Sequence, residues 1–161
     1  MFTRVIGFAL LLVASAALAD DKNITIAITG GGATLTVPRS AKVTSSKDKT
    51  VVDTKDLTLY LWVVPKAKTV AEAVPKVATV ISGEFKDFVV QRTNTITVAG
   101  AEAKHLVGRG AEADDGDPGS ADVVVFTVGK TVLAACVHGE GETAPQQRPA
   151  MLAMLKTVKA P

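Results

Sequence analysis

Five acidic side chains crowd into eleven residues of this chain, EADDGDPGSAD from Glu112 to Asp122. Carboxylate oxygens are what calcium takes, roughly six to eight at a time, which makes Asp114, Asp115, Asp117 and Asp122 the candidate ligands. Their spacing matches neither the EF-hand loop nor the glycine-rich nonapeptide repeat. Asp, Gly and Pro are equally the residues of an exposed hairpin loop, and that plainer reading fits the segment better. A second grouping is Cys136 and His138, two residues apart and so on one face of a predicted strand, with His105 on another strand able to approach them. Zinc accepts both residue types, yet no fourth ligand is evident. His138-Gly139-Glu140 opens like a zinc deaminase motif whose P-C-x-x-C half is missing. The plainer reading is a histidine beside a buried thiol, since TVLAACV is apolar on both sides of the cysteine and free cysteines are usually buried.

Nucleophile and phosphate chemistry fare no better. G-x-S-x-G is absent, and Ser82-Gly83-Glu84 falls where a predicted helix ends. Gly30-Gly31-Gly32 could cradle a phosphate only if a helix came next; the next residues alternate and are β-branched, so the glycines read as a turn. No group of residues has the context that catalysis requires. The sequence therefore implies neither an enzyme nor a bound cofactor.

The N-terminus bears on where the chain works. Arg4 is followed by an apolar run from Val5 to Leu18, closed by Ala17-Leu18-Ala19 and then by Asp20 and Asp21. Charged start, apolar middle and A-x-A end are the parts of a secretory signal, with cleavage expected between Ala19 and Asp20. The run is shorter than the roughly 20 apolar residues of a membrane span, and no later segment is long and apolar enough to be one. Residues 1–19 are thus expected to be removed, leaving residues 20–161 as a single exported domain in the periplasm or outside the cell. With one cysteine, no internal disulfide is possible, and stability must come from the core. The net charge of +2 is scattered, and only 4% of residues are aromatic. That gives neither the basic stripe nor the stacking platform of a nucleic-acid binder.

Periodicity places these residues on elements. Asn23–Thr29 and Ala33–Val37 alternate and read as a hairpin. Pro38–Asp56 is polar, with a short strand at Val51-Val52 and otherwise a solvated loop. Leu57–Val64 is an apolar strand stopped by Pro65. Thr69 and Glu72 form a capping box for a helix ending near Gly83, with Pro75 predicting a kink or a displaced start. Phe85–Arg92, Asn94–Val98, Ala103–Gly108, Val123–Val128 and Thr131–His138 read as extended, with Gly129-Lys130 a tight turn. A last helix carries Met151, Leu152, Leu155 and Val158 on one side, capped by Thr143 and Gln146 or begun at Pro149. Strands with few helical crossovers and two helices predict an α+β fold, a mainly antiparallel sheet flanked by the helices in an α/β/α sandwich.

This order, together with FKDFVVQRTNTITVAGAEAKHLVGRG (85–110), VVVFTVGKTVLAACV (123–137) and the closing AMLAMLKTV (150–158), resembles the PsbP-like superfamily. The resemblance runs from about Leu57 to Val158. It implies an antiparallel sheet between helices, and it transfers no catalytic residues, because the group is mostly non-enzymatic and functionally diverse. The expected function is an exported, non-catalytic domain that binds a partner protein or envelope component, through the Arg39–Lys55 segment or the acidic loop. The alternatives are a small-ligand or calcium-binding protein, whose sign would be a pocket between sheet and helix, and an unrecognised enzyme.

Overall fold

The computed structural model describes residues 22–161; the signal-peptide expectation, with cleavage at Ala19 and Asp20, lies outside them. Strands β1 (Asn23–Ile28) and β2 (Ala33–Pro38) pair antiparallel as the expected hairpin, Ile26 opposite Leu35. Gly30 and Gly32 take positive φ in its turn, a backbone state that costs glycine little. The chain continues into β3 (Lys42–Ser45), β4 (Lys49–Asp53) and β5 (Thr58–Val63), then α1 (Val70–Ile81). It closes with β6 (Phe85–Val98), β7 (Ala101–Glu112), β8 (Pro118–Val128), β9 (Thr131–Glu140) and α2 (Thr143–Leu155).

Seven strands form one sheet in the order β3-β4-β5-β9-β8-β7-β6, and every neighbouring pair is antiparallel. Strand alternation divides the side chains between two cores. Leu59, Leu61, Val124, Phe126, Leu133 and Ala135 face one side, where α2 brings Met151 and Leu155 and the β1–β2 hairpin brings Leu35 and Val37. Val123, Val125, Ala134 and Cys136 face the other side, covered by Ala73, Val77 and Ile81 of α1. The result is the α/β/α sandwich, with the hairpin sharing the α2 layer.

Four local expectations change. The polar stretch read as a loop around Val51-Val52 is instead the β3–β4 hairpin. It is an edge hairpin, so one face stays wet and its alternation is diluted by Lys, Ser and Thr; Val52 and Thr50 supply the buried positions. Phe85–Arg92 and Asn94–Val98 join into one 14-residue strand with bulges between Lys86 and Val89 and between Val90 and Arg92. Glycine opposite it makes room: a Cβ on Gly108 would sit 2.3 Å from Phe88 Cζ and 2.8 Å from the Val89 carbonyl oxygen.

Pro75 does not displace the start of α1, which runs from Val70 to Ile81 with the proline inside it. Ala71 and Pro75 are both exposed, so water can serve the Ala71 carbonyl that Pro75 cannot bond. The Thr69 cap is present, its Oγ1 accepting from the Glu72 N–H at 3.2 Å, while Glu72 Oε2 accepts from the Lys68 N–H at 2.9 Å. Finally, α2 starts neither from a Thr143–Gln146 box nor at Pro149. Glu142 takes the cap position without its side chain capping the helix, and the sheet contributes instead: Ser120 Oγ accepts from the Ala144 N–H at 3.2 Å. Val158 is buried beyond the end of the helix rather than on it.

Candidate functional site

The outer face of β5 and β9 is only partly roofed by α1. Tyr60 opposes Cys136 and Trp62 opposes Ala134 across these strands, so two large aromatics stand beside two small residues. The difference in size leaves a cleft of about 760 Å³. One wall is the β3–β4 turn, with Lys47, Asp48 and Lys49; the other is the C-terminal end of α1 and the turn into β6, with Val80, Ile81 and Glu84. Val80, a large apolar side chain on this wall, is 53% exposed.

Rings dominate the floor. Tyr60 and His138 stack with centroids 5.0 Å apart and planes 26° apart, and Phe85 meets His138 edge-on at 6.0 Å. Lys49 Nζ lies 5.7 Å from the centre of the Tyr60 ring, within cation–π reach. Burial lowers the His138 pKa, with Lys49 adding to that and Glu84 and Glu112 opposing it; the imidazole is therefore neutral at pH 7. Burial also raises the Tyr60 phenol, reinforced by Cys136, Glu84 and Asp53. The Cys136 thiol is fully buried and pushed well above its ordinary range, chiefly by burial. A thiol so held is a poor nucleophile and a poor metal ligand. Trp62 Nε1 is buried and, among the described residues, has no hydrogen-bond partner, an uncommon state for a buried donor.

His105 is elsewhere. It sits on the opposite face of the sheet, under α2, with Nε2 3.7 Å from Asp122 Oδ2. The three residues grouped as possible zinc ligands are thus divided, Cys136 and His138 on one face and His105 on the other. Asp122 is likewise separate from the acidic loop: it lies within β8, fully buried, with its carboxylate accepting from both Nε and Nη2 of Arg148 in α2. Burial alone would raise its pKa, but His105 and Arg148 outweigh that and lower it. Since His105 stands at ion-pair rather than hydrogen-bond distance, the two-point contact with Arg148 is the stronger hold.

Asp114, Asp115 and Asp117 stay on the β7–β8 turn. There Asp115 Oδ1 accepts from the Asp117 N–H at 3.0 Å, and Gly116 takes φ 83°, both ordinary turn chemistry. Among the described residues, no group of three or more His, Cys, Asp or Glu side chains could hold one metal ion. Ser82 Oγ donates to the Ala78 carbonyl at 2.8 Å, as a helix terminus explains. Sequence reasoning picked out His138 and Cys136 but missed Tyr60 and Trp62 as their partners. The signal was partial: the chain's one Tyr and one Trp lie two apart on a single strand face, and only the β5–β9 register sets them beside Cys136 and His138.

No protein-family model and no curated protein matches this sequence. Solved structures do resemble it. Cyanobacterial PsbP from Synechocystis sp. PCC 6803 superimposes with a TM-score of 0.63 at 10% identity, over 93% of this chain and 99% of that one. The Ran-binding protein Mog1p of Saccharomyces cerevisiae gives 0.59 at 9% identity, over 86% of this chain and 95% of that one. A Pseudomonas aeruginosa protein of unknown function gives 0.50 at 12%, covering 84% and 94%. At such identities the likeness is one of architecture, and the chain has the PsbP-like α+β fold that its sequence resembles.

Proposed function

We propose that this chain is an exported, non-catalytic binding domain that holds a small ligand or envelope component in the cleft between the β5–β9 face and the end of α1. One observation carries the reading: an aromatic-floored opening of about 760 Å³ lies within the roughly 300–1,000 Å³ of small-molecule sites. The polar groups around it suit holding rather than reacting, because the thiol is buried and held protonated and, among the described residues, no carboxylate hydrogen-bonds the imidazole to orient it. Export rests on the N-terminal signal pattern. A partner protein is the second reading, favoured by the likeness to a fold that in Mog1p serves a Ran-binding protein.

The test is native mass spectrometry of the protein purified from its own host's exported fraction. The expected result is an N-terminus at Asp20 and a non-covalent small-molecule adduct that Val80→Asp abolishes. A protein free of any adduct, recovered with a stoichiometric protein partner instead, would replace this reading with the second.

A further inference from the structure

Strand β6 ends the seven-stranded sheet, and among the described residues no strand pairs with its outer edge. Sheet edges are usually blunted by bulges, charges or shortness, because a free edge is a template for another strand. β3, the opposite edge, has four residues and carries Lys42. β6 is blunted over its first part alone: Lys86, Asp87 and Arg92 are exposed there, and both bulges fall before Thr93. Residues 93–98, TNTITV, then pair with β7 without interruption. They hold no charge and no proline, and all but Asn94 are β-branched, the composition of a stable strand.

The phase of that stretch follows from its turn. Val98 faces Ala101 across Ala99-Gly100, whose φ of 51° and 78° mark a two-residue type I′ hairpin. The residues flanking such a turn exchange both backbone bonds, and the pattern alternates from there. Val98, Ile96 and Asn94 therefore spend their N–H and C=O groups on β7, while Thr97, Thr95 and Thr93 aim theirs outward. These three are exposed, evenly spaced about Thr95, and self-complementary. A second copy turned about a two-fold axis at Thr95 sets Thr93 against Thr97 and Thr95 against itself, each pair exchanging two bonds. Arg92 then meets Val98 and Asn94 meets Ile96, so no like charges are opposed. Lys104, in register with Thr95 on β7, is already paired with Glu102 at 2.9 Å. A strand of unrelated sequence would find the same backbone groups without the matched threonine row, whose cross-strand hydroxyl contacts add to the pairing.

We propose that this chain forms a two-fold dimer through residues 93–98 of β6, paired antiparallel about Thr95, which joins two seven-stranded sheets into one. The cleft, whose lining includes no β6 residue, stays open in each copy.

The contact is one short strand, at the small end of specific interfaces, so association falls between micromolar and millimolar concentration. Residues 20–161 are compared across that range by sedimentation equilibrium and by amide hydrogen exchange in nitrogen-15 spectra. The expected result is a rise from monomer to dimer mass. Exchange at Thr93, Thr95 and Thr97 should slow by about tenfold once nine copies in ten are paired, whereas Asn94, Ile96 and Val98 are protected by β7 at every concentration.

Thr95→Pro removes the N–H on the axis, which the ladder to β7 does not use, and an edge strand tolerates proline at such a place. It should hold the protein monomeric with the rest of the spectrum in place. Thr95→Lys sets two ammonium groups across the axis and should do the same with the backbone unaltered. A monomer at millimolar concentration would overturn the proposal. So would a dimer in which those three amides stay unprotected, or one that both variants leave intact.

Discussion

Asp122→Asn is the substitution that most directly tests the account of what holds α2 to the sheet. Asparagine keeps the size of the side chain and removes its charge. Two bonds between opposite charges become bonds from the guanidinium to a single neutral amide oxygen, because an NH2 donor replaces the other carboxylate oxygen. Hydrogen bonds to charged groups contribute roughly 1.5–3 kcal/mol against about 1 kcal/mol for neutral ones. Breaking a fully buried pair from one side costs about 3–5 kcal/mol. The Arg148 side chain is 26% exposed and recovers part of its hydration, so the loss falls below that range, at about 2–3 kcal/mol at pH 7. For a chain of this size that is a fall in Tm of about 5–10 °C.

The pH dependence has a definite sign. The folded-state pKa of Asp122 lies below its ordinary 3.8. Its contribution is therefore complete above the unfolded value and disappears as pH falls through the lower folded value. Urea unfolding followed by circular dichroism at pH 7, 5 and 3 should show the gap between wild type and Asp122→Asn unchanged from pH 7 to 5 and narrowed at pH 3. A gap of constant size down to pH 3 would refute the assignment, because size and packing alone would then account for it. No gap at pH 7 would refute the ion pair's structural role altogether.

Gly108→Ala should destabilise by about 2 kcal/mol, within the usual range for overpacking, because the Val89 carbonyl 2.8 Å from the new Cβ is backbone and cannot swing aside; chemical denaturation would read it. Ellman's reagent should leave Cys136 unmodified in the native protein and react fully in denaturant, since the thiol is both buried and held protonated; prompt native reaction would contradict the packing of β9 under α1. Millimolar calcium should leave the Tm unchanged, as Asp122 is committed to Arg148 and Asp115 to its own turn; a rise of several degrees would restore the acidic turn as a site.

Where pattern and chemistry coincided, the sequence was readable. Alternating isoleucines at 24, 26 and 28 announced β1, Pro65 marked the end of β5, and Thr69 with Glu72 located the start of α1. The β3–β4 hairpin was hidden because an edge hairpin needs few apolar positions, and Lys- and Ser-rich composition reads as a loop. Asp122 could not be told from its acidic neighbours, since its partner Arg148 is 26 residues away and nothing local marks an ion pair between a strand and a helix. The cleft was half legible. Cys136 and His138 were placed on one face correctly, but Tyr60 and Trp62 join them only through the β5–β9 pairing, which residue spacing does not reveal.

That pairing has a bearing on how the chain folds. On one side of it β6 to β9 run consecutively as a meander, and on the other β3 to β5 do the same, so each half closes through short turns. Among the pairings within the seven-stranded sheet, the β5–β9 seam, with Leu61 against Ala135, is the one that joins segments more than seventy residues apart, and long-range pairings carry the loop-closure cost that slows folding. The Tyr60–His138 stack straddles this seam. A ligand on that stack would grip both halves at once, and should slow unfolding while leaving the refolding rate nearly unchanged wherever the seam closes after the transition state. Stopped-flow rates with and without ligand would thus date the closing of the seam.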